Sequence, residues 1–385
     1  MRKHGMVWSL RLLLVAFAFA LVPAAFGDIL VSSGVRVNAF QGDGDQETDG
    51  SEVTVPVSIR YVRERFSLDV TTSYSAALIH RADIGDAELA HATDTLISAA
   101  YTLPQLPLGL FCFGSLSVNL PTGKARLTAQ EQEATIGSHH DFFEIEQFGE
   151  GLNIGGSFNV LRQFGKVTSG LSATYVYKGE YDPTGETADD DLDPGDLMLL
   201  AGLANWEISS RFKLSTLASY SYVLADTVNG HDDFQQGGSF TLNGTIAYLH
   251  HPFGGTIGLM GTAFRDNKEL VSGALEREPN NSNGPESSVL LDVSYTHSPS
   301  LVVRTVGDIR YYGESARRDI GTDLPYSGRR IRYSIGPGAR YAVNKNFAVF
   351  ALAKYFLIDE EESIFVDHAT TYRGMTANFE VTYIF

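Results

Sequence analysis

From residue 28 onward the chain is written with a period of two. Val53, Val55, Val57, Ile59 and Tyr61 alternate with Thr54, Ser58 and Arg60, and Ile331, Tyr333, Ile335, Ala339 and Tyr341 with Arg330, Arg332, Ser334 and Arg340. Phe212, Leu214, Ala218, Tyr220 and Tyr222 alternate with Lys213, Ser215, Ser219 and Ser221. Alternation sustained this far predicts strands with one apolar and one polar face. Sixteen such segments fall at roughly 29–41, 52–63, 65–79, 92–103, 108–120, 149–162, 166–180, 195–207, 210–225, 236–250, 254–266, 286–297, 300–313, 329–343, 346–358 and 370–385. No second long apolar segment and no long amphipathic helix interrupts them.

The connections carry as much information as the strands. After each even-numbered strand the link is short, as at Glu64, Gln163-Phe164-Gly165, Ile208-Ser209, Ser298-Pro299 and Asn344-Lys345. The other links are longer, polar and acidic, as over 43–51, 182–194, 267–285 and 359–369. Short and long links in turn predict an up-and-down antiparallel meander with two unlike ends. Closed into a transmembrane β-barrel of about 16 strands, it satisfies every backbone hydrogen bond in lipid. A soluble β-sandwich explains neither one-sided loop lengths nor strands this long, since globular strands average about five or six residues.

Aromatic placement is an independent sign. Tyr61, Tyr101, Trp206, Tyr248, Tyr295, Tyr341 and Tyr383 are the last outward residues before each short turn or the chain end. Tyr74, Tyr175, Tyr220, Tyr311 and Tyr355 sit toward the opposite ends of their strands. Two such belts match two membrane interfaces. The last strand alternates Phe379, Val381, Tyr383 and Phe385 with Asn378, Glu380 and Thr382 and stops on phenylalanine. This resembles the terminal signature of Gram-negative outer-membrane β-barrel proteins, and the sixteen-strand layout resembles general porins. The resemblance implies that Phe379, Val381, Tyr383 and Phe385 form an assembly signal read by the barrel-assembly machinery. It also implies contact with outer-membrane lipid and lipopolysaccharide, and it leaves open a homotrimer or a periplasmic partner.

The first 27 residues fit export to that location. Arg2, Lys3 and Arg11 precede an apolar run, Leu12 to Val22, then Pro23 and small residues at Ala25 and Gly27. Eleven apolar residues are too few to cross ~30 Å of hydrocarbon as a helix, so a signal peptide over 1–27 is expected, with the barrel over 28–385. Asp28 rather than cysteine follows the cleavage point, which excludes a lipid-anchored lipoprotein. The full chain carries a net charge of -17, and loss of the three basic residues leaves 26 basic against 46 acidic residues. Such an excess argues against nucleic-acid binding. The single Cys112 excludes a disulfide scaffold, a cysteine zinc cluster and a haem attachment motif.

What chemistry remains lies in the lumen. The inward parity takes in Arg36, Arg60, Arg304, Arg310, Arg330, Arg332, Arg340 and Lys354, on strands that adjoin when the barrel closes. In porins the loop after the fifth strand commonly folds inward. Here that loop, Thr122 to Phe148, carries Glu131, Glu133, Asp141, Glu144 and Glu146. A basic wall facing an acidic loop is expected to set a transverse field at a constriction. Inward charges that merely solvate a wet lumen are the plainer expectation.

Other constellations are weak. Asp189-x-Asp191-x-Asp193 opens like a calcium loop, but Pro194 and Leu200 occupy positions where an EF-hand needs Gly and Glu, so no metal site is assigned. His297-Ser298, the Asp226/His231/Asp232/Asp233 group and His139-His140-Asp141 are spacings that polar loops meet by chance, so no enzyme and no cofactor is expected. The expected function is passive diffusion of small solutes through a water-filled barrel. One rival is gated uptake of hydrophobic or aromatic compounds, favoured by inward Phe111, Phe113, Phe350, Leu352 and Phe356. The other is a scaffold barrel sheathing a partner such as a cytochrome.

Overall fold

The computed structural model describes residues 28–43, 48–81, 85–135, 148–183, 191–278, 282–315, 327–363 and 368–385. The leader expected over 1–27 lies outside them. The barrel strands are β1 (Asp28–Asp43), β2 (Thr48–Arg63), β3 (Phe66–Arg81), β4 (two pieces, Gly85–Ala92 and Thr95–Thr102), β5 (Leu110–Leu120), β6 (Asn153–Phe164), β7 (Val167–Tyr177) and β8 (Leu197–Glu207). They continue as β9 (Phe212–Val223), β10 (Ser239–His250), β11 (Phe253–Phe264), β12 (Glu286–Ser298), β13 (Leu301–Tyr312), β14 (Arg330–Ala342), β15 (Phe347–Glu360) and β16 (Thr370–Ile384). Each pairs antiparallel with its successor, and β16 returns to β1 from Leu30↔Ile384 to Asp43↔Thr371. The chain is therefore an all-β, sixteen-stranded, closed antiparallel barrel with no unpaired edge.

The alternation in the sequence is the alternation in the wall. Val37 lies opposite Val53 on the outer face, while Arg36 lies opposite Thr54 on the inner. Outward Leu116, Leu171, Leu200, Leu242, Ile257 and Ile335 are exposed, as a lipid-facing surface requires. Next to the short turns the outward aromatics meet across neighbouring strands. Phe212 and Tyr248 have ring centroids 5.0 Å apart, and Phe253 and Tyr295 5.3 Å. The terminal segment joins this girdle. Tyr383 meets Phe385 edge-on at 4.5 Å, and the Phe385 N–H donates to the Ile29 carbonyl at 2.9 Å.

One strand is broken. Tyr74 pairs Ala92 and Thr71 pairs Leu96, so β4 carries one residue more than β3 over that stretch. The extra residue is a bulge that reverses the inward parity of β4, and Asp94 is turned into the lumen there. Its carboxylate accepts from Asn119 Nδ2 (2.7 Å) and from the backbone N–H groups of Gly123 (2.8 Å) and Glu150 (3.0 Å). Both roots of the loop after β5 are thereby tied to one side chain.

The long loops are not all irregular. Those after β7, β9 and β11 build a separate five-stranded sheet from Leu192–Asp193, Asp226–Val228, His231–Gln235, Lys268–Val271 and Ala274–Arg277. Its two hairpins turn on Asn229-Gly230 and Ser272-Gly273, where all four residues have positive φ (51°, 77°, 53° and 90°). That is the geometry of a two-residue type I′ turn, which favours Asn and Gly.

Candidate functional site

Inside the barrel the wall has two unlike halves. From β5 to β11 the inward positions are mostly hydroxyl, amide or small side chains. Ser115, Ser117, Ser157, Asn159, Ser172 and Thr174 lead to Ser219, Ser221, Thr241, Asn243 and Thr262, with pairs such as Ser115–Ser157 at 2.7 Å and Thr241–Thr262 at 3.0 Å. Among them the inward Leu217, and Leu290 on β12, keep 42% and 43% of their surface exposed, so this half borders open space.

The other half, β12 to β16 and β1 to β4, carries the charges and is packed toward its long-loop end. Arg304 and Arg310 on β13, Arg330, Arg332 and Arg340 on β14, Lys354 on β15, Arg36 on β1 and Arg60 on β2 occupy its inner face. The same face carries carboxylates that reading the basic positions alone had missed. Arg304 pairs with Asp292, and Arg60 Nε meets Asp69 Oδ1 at 2.5 Å. Asp308 accepts from Lys354 Nζ (3.0 Å) and Ser334 Oγ (2.5 Å), with Arg310 Nε 3.6 Å from its other oxygen. The wall is thus a mixed ladder rather than a basic one. Arg330 lies over the Tyr312 ring (4.4 Å), and buried Arg332 over Phe356 (5.0 Å). Arg340 is exposed near the short-turn end.

Phe40, Ala77, Ile79, Phe356, Ile358 and Tyr372 form a buried cluster on that half. Of the inward apolar residues read as favouring a hydrophobic path, Phe356 is wholly covered, and Phe350 lies under Arg304. Phe111 alone of the five is exposed.

The loop after β5 packs on the inner wall. Its short helix α1 (Ala129–Glu133) is capped by Thr128, whose hydroxyl accepts from Glu131 N while its own N–H donates to the Glu131 carboxylate (3.0 Å). Ala134, Phe148 and Leu127 cover Ala87 and Leu89, two inward residues of β4. Gln130 Nε2 donates to the Asp86 carbonyl (2.7 Å), and Arg126 pairs with Asp182 (2.8 Å). Glu131 is spent on Lys124 and Glu133 on Arg81 (3.1 Å), so neither stands as a lone acid facing the ladder. Burial alone pushes the Glu131 carboxyl up. The Lys124 ammonium and the Thr128 N–H and hydroxyl outweigh it and hold the group below the ordinary range. Asp141, Glu144 and Glu146 lie outside the described residues, as do His139, His140, Asp189 and Asp190.

Several members of the remaining constellations make structural contacts. The Ser298 hydroxyl accepts from Leu301 N (3.1 Å) and meets Ser300 (3.2 Å), while His297 stacks outward near Tyr295 (6.3 Å). Asp226 accepts from Gly195 N (2.7 Å) inside the loop sheet, and Asp196 from Lys178 N (3.0 Å) and the Tyr175 hydroxyl. Among the described residues no three His, Cys, Asp or Glu side chains gather to hold a metal ion.

No protein-family model and no curated protein matches the chain. Solved structures of similar form do exist. The CymD monoaromatic hydrocarbon channel is 14% identical with a TM-score of 0.43, over 96% of this chain and 93% of that one. OccK7 (OpdD) of Pseudomonas aeruginosa is 10% identical with a TM-score of 0.42, over 92% and 98%. A Pseudomonas aeruginosa FadL homologue is 8% identical with a TM-score of 0.42, over 93% and 90%. Similarity at this level concerns barrel form and says nothing of the solute. In form, the protein is a closed, sixteen-stranded antiparallel β-barrel.

Proposed function

We propose that this protein is a passive diffusion channel for small solutes in a Gram-negative outer membrane, inserted after removal of residues 1–27. The observation that carries the reading is the hydroxyl half of the lumen, where inward side chains border open space. Sixteen strands enclose more volume than their side chains fill, and the described part of the loop after β5 packs on the β4 face of the wall. The charge ladder is partly compensated, with Asp292, Asp69 and Asp308 beside Arg304, Arg60, Arg310 and Lys354, which suits passage of solutes of either sign with modest selectivity. Planar-bilayer recording on refolded protein tests the reading. Stepwise, ohmic conductance supports it, and a folded but silent barrel refutes it.

A second reading, gated uptake of hydrophobic compounds, has one observation in its favour: Phe111, Leu217 and Leu290 are exposed among the hydroxyls. The larger aromatic cluster offers such a solute no surface, because it is already covered. Saturable binding of an aromatic solute together with absent conductance favours this reading. Co-purification of a protein at fixed stoichiometry favours a scaffold barrel instead.

A further inference from the structure

One charge interrupts the lipid-facing wall of β5 to β11. Of the outward side chains on those strands only Arg162 is a Lys, Arg, Asp or Glu, and its cross-strand neighbours are Leu110 and Ser169. Its guanidinium lies over the Phe164 ring at 4.7 Å and, among the described residues, meets no carboxylate. We propose that Arg162 and the groove beside it hold one anionic phospholipid of the periplasmic leaflet, with the phosphate on the guanidinium and an acyl chain in the groove. The site rests on the membrane setting proposed above and not on an open lumen.

The groove has a volume of about 590 Å³, in the range of small-ligand sites. Its floor is built of small residues, with Ser169, Ala204 and Thr216 in the row that begins at Arg162, and Gly202 and Ala218 in the next. Leu171 and Leu242, 72% and 54% exposed, bank it on either side. The Thr216 hydroxyl donates to the Ala204 carbonyl (3.3 Å), which turns it away from a chain lying there. The row climbs away from the short turns. Arg162 stands two residues before the end of β6 at Phe164, Ala204 three before the end of β8 at Glu207, and Gly244 six before the end of β10 at His250. At ~4.8 Å per strand the stretch from β6 to β10 is about 19 Å long, and the hydrocarbon of one leaflet is ~15 Å deep. Arg162 therefore marks the headgroup end. Gly244 marks the chain end, where an added Cβ would meet nothing within 4 Å.

A guanidinium at the edge of hydrocarbon with no protein carboxylate takes its counter-ion from the membrane, and a phosphate diester fits its fork of donors. Ser169, directly across from Arg162, adds a hydroxyl at the same level. The surroundings favour a head group of net negative charge. The short turns from β6 to β11 carry Lys166 and Arg211 and no acid, and at the neighbouring strand ends Lys213 pairs with Glu207 at 3.4 Å. This basic edge belongs to a chain of net charge -17. A zwitterionic head group would set its own cation against that edge. The aromatic girdle fixes the level, with Phe164 against Arg162 and Trp206 one step nearer the turn than Ala204 on the same face.

With residues 1–27 removed, Trp206 is the single tryptophan, so its emission reports on the groove beside it. The test is quenching of that emission in phosphatidylcholine vesicles that contain a minor fraction of phosphatidylglycerol with brominated chains, against the same fraction of brominated phosphatidylcholine. The anionic lipid is expected to quench beyond its share of the bilayer, and the comparator in proportion to it. Arg162→Gln should lower the relative association constant of the anionic lipid about tenfold, the loss of one charge-assisted hydrogen bond. Arg162→Lys should restore part of it, and Gly202→Leu, which fills the floor, should lower it with the charge intact. Heat-modifiable migration on gels confirms that each variant is folded. Proportionate quenching by both lipids, or an excess indifferent to Arg162→Gln in a folded barrel, overturns the proposal and leaves the channel reading intact. Quenching by neither lipid removes the membrane setting along with the site. Proportionate quenching in oligomers that Gly202→Leu splits also overturns it, and assigns the groove to a second copy of the chain.

Discussion

Replacing Phe148 by alanine should free the loop after β5 from the wall, whereas replacing Glu133 by glutamine should not. Phe148 is 8% exposed and packs with Leu127 and Ala134 on Ala87 and on Leu89, itself 1% exposed. Truncating a buried phenylalanine costs about 3–5 kcal/mol. The loop's ion pairs, Arg81–Glu133 and Arg126–Asp182, each involve a partly exposed partner, and such pairs contribute about 0–1 kcal/mol. The apolar contact therefore outweighs any one charge. The assay combines amide exchange over residues 122–135 with single-channel noise. Phe148→Ala should speed exchange there by roughly a hundredfold or more, given a cost near 3 kcal/mol, and add open-channel flicker. Glu133→Gln should change exchange by no more than about fivefold. A loop loosened more by Glu133→Gln than by Phe148→Ala would refute the reasoning and make the pairs the anchor.

Three further outcomes are expected. Arg304→Glu together with Arg340→Glu should move the reversal potential toward cations, since Asp292 then loses its partner and the short-turn mouth loses its exposed guanidinium; at ~0.15 M salt the shift is readable only if these groups lie within ~8 Å of the permeating ions. Deleting Phe385, or replacing Tyr383 and Phe385 by serine, should reduce the heat-modifiable outer-membrane fraction, because the Tyr383–Phe385 contact and the Phe385–Ile29 hydrogen bond are lost with the terminal signature. Acid should loosen the same loop: a depressed carboxyl such as Glu131 contributes its stabilisation above the ordinary value of 4.5 and loses it as pH falls through the lower folded value, so flicker rises in acid and rises less in Glu131→Gln.

The barrel was legible in the sequence because lipid outside and water inside impose opposite demands on successive residues. Where that contrast fails, the reading fails too. β4 was expected from residue 92, yet it begins at Gly85. There the inward residues, Ala87 and Leu89, are apolar because a loop covers them, and the outward Asp86 and Glu88 are polar, so the alternation is inverted relative to the rest of the wall. The loop sheet was missed for another reason. Its strands are two to five residues long, and their apolar residues are too few to show a period, although Asn229-Gly230 was a hairpin signal in plain view. The lumen charges follow face rather than sign. Arg304, Arg310 and Lys354 stand out as a basic group in the sequence, yet Asp292 and Asp308 obey the same inward parity. The tie between Asp94 and the loop after β5 depends on a one-residue bulge and on N–H groups 29 and 56 residues away along the chain. No local pattern encodes that meeting.

The central claim is that the lumen is an open aqueous path, and single-channel conductance of the folded wild-type barrel tests it most directly. The account predicts discrete current steps, linear in voltage and proportional to salt concentration, from protein that shifts on gels when boiled. Folded barrel that inserts into the bilayer and passes no current would contradict it.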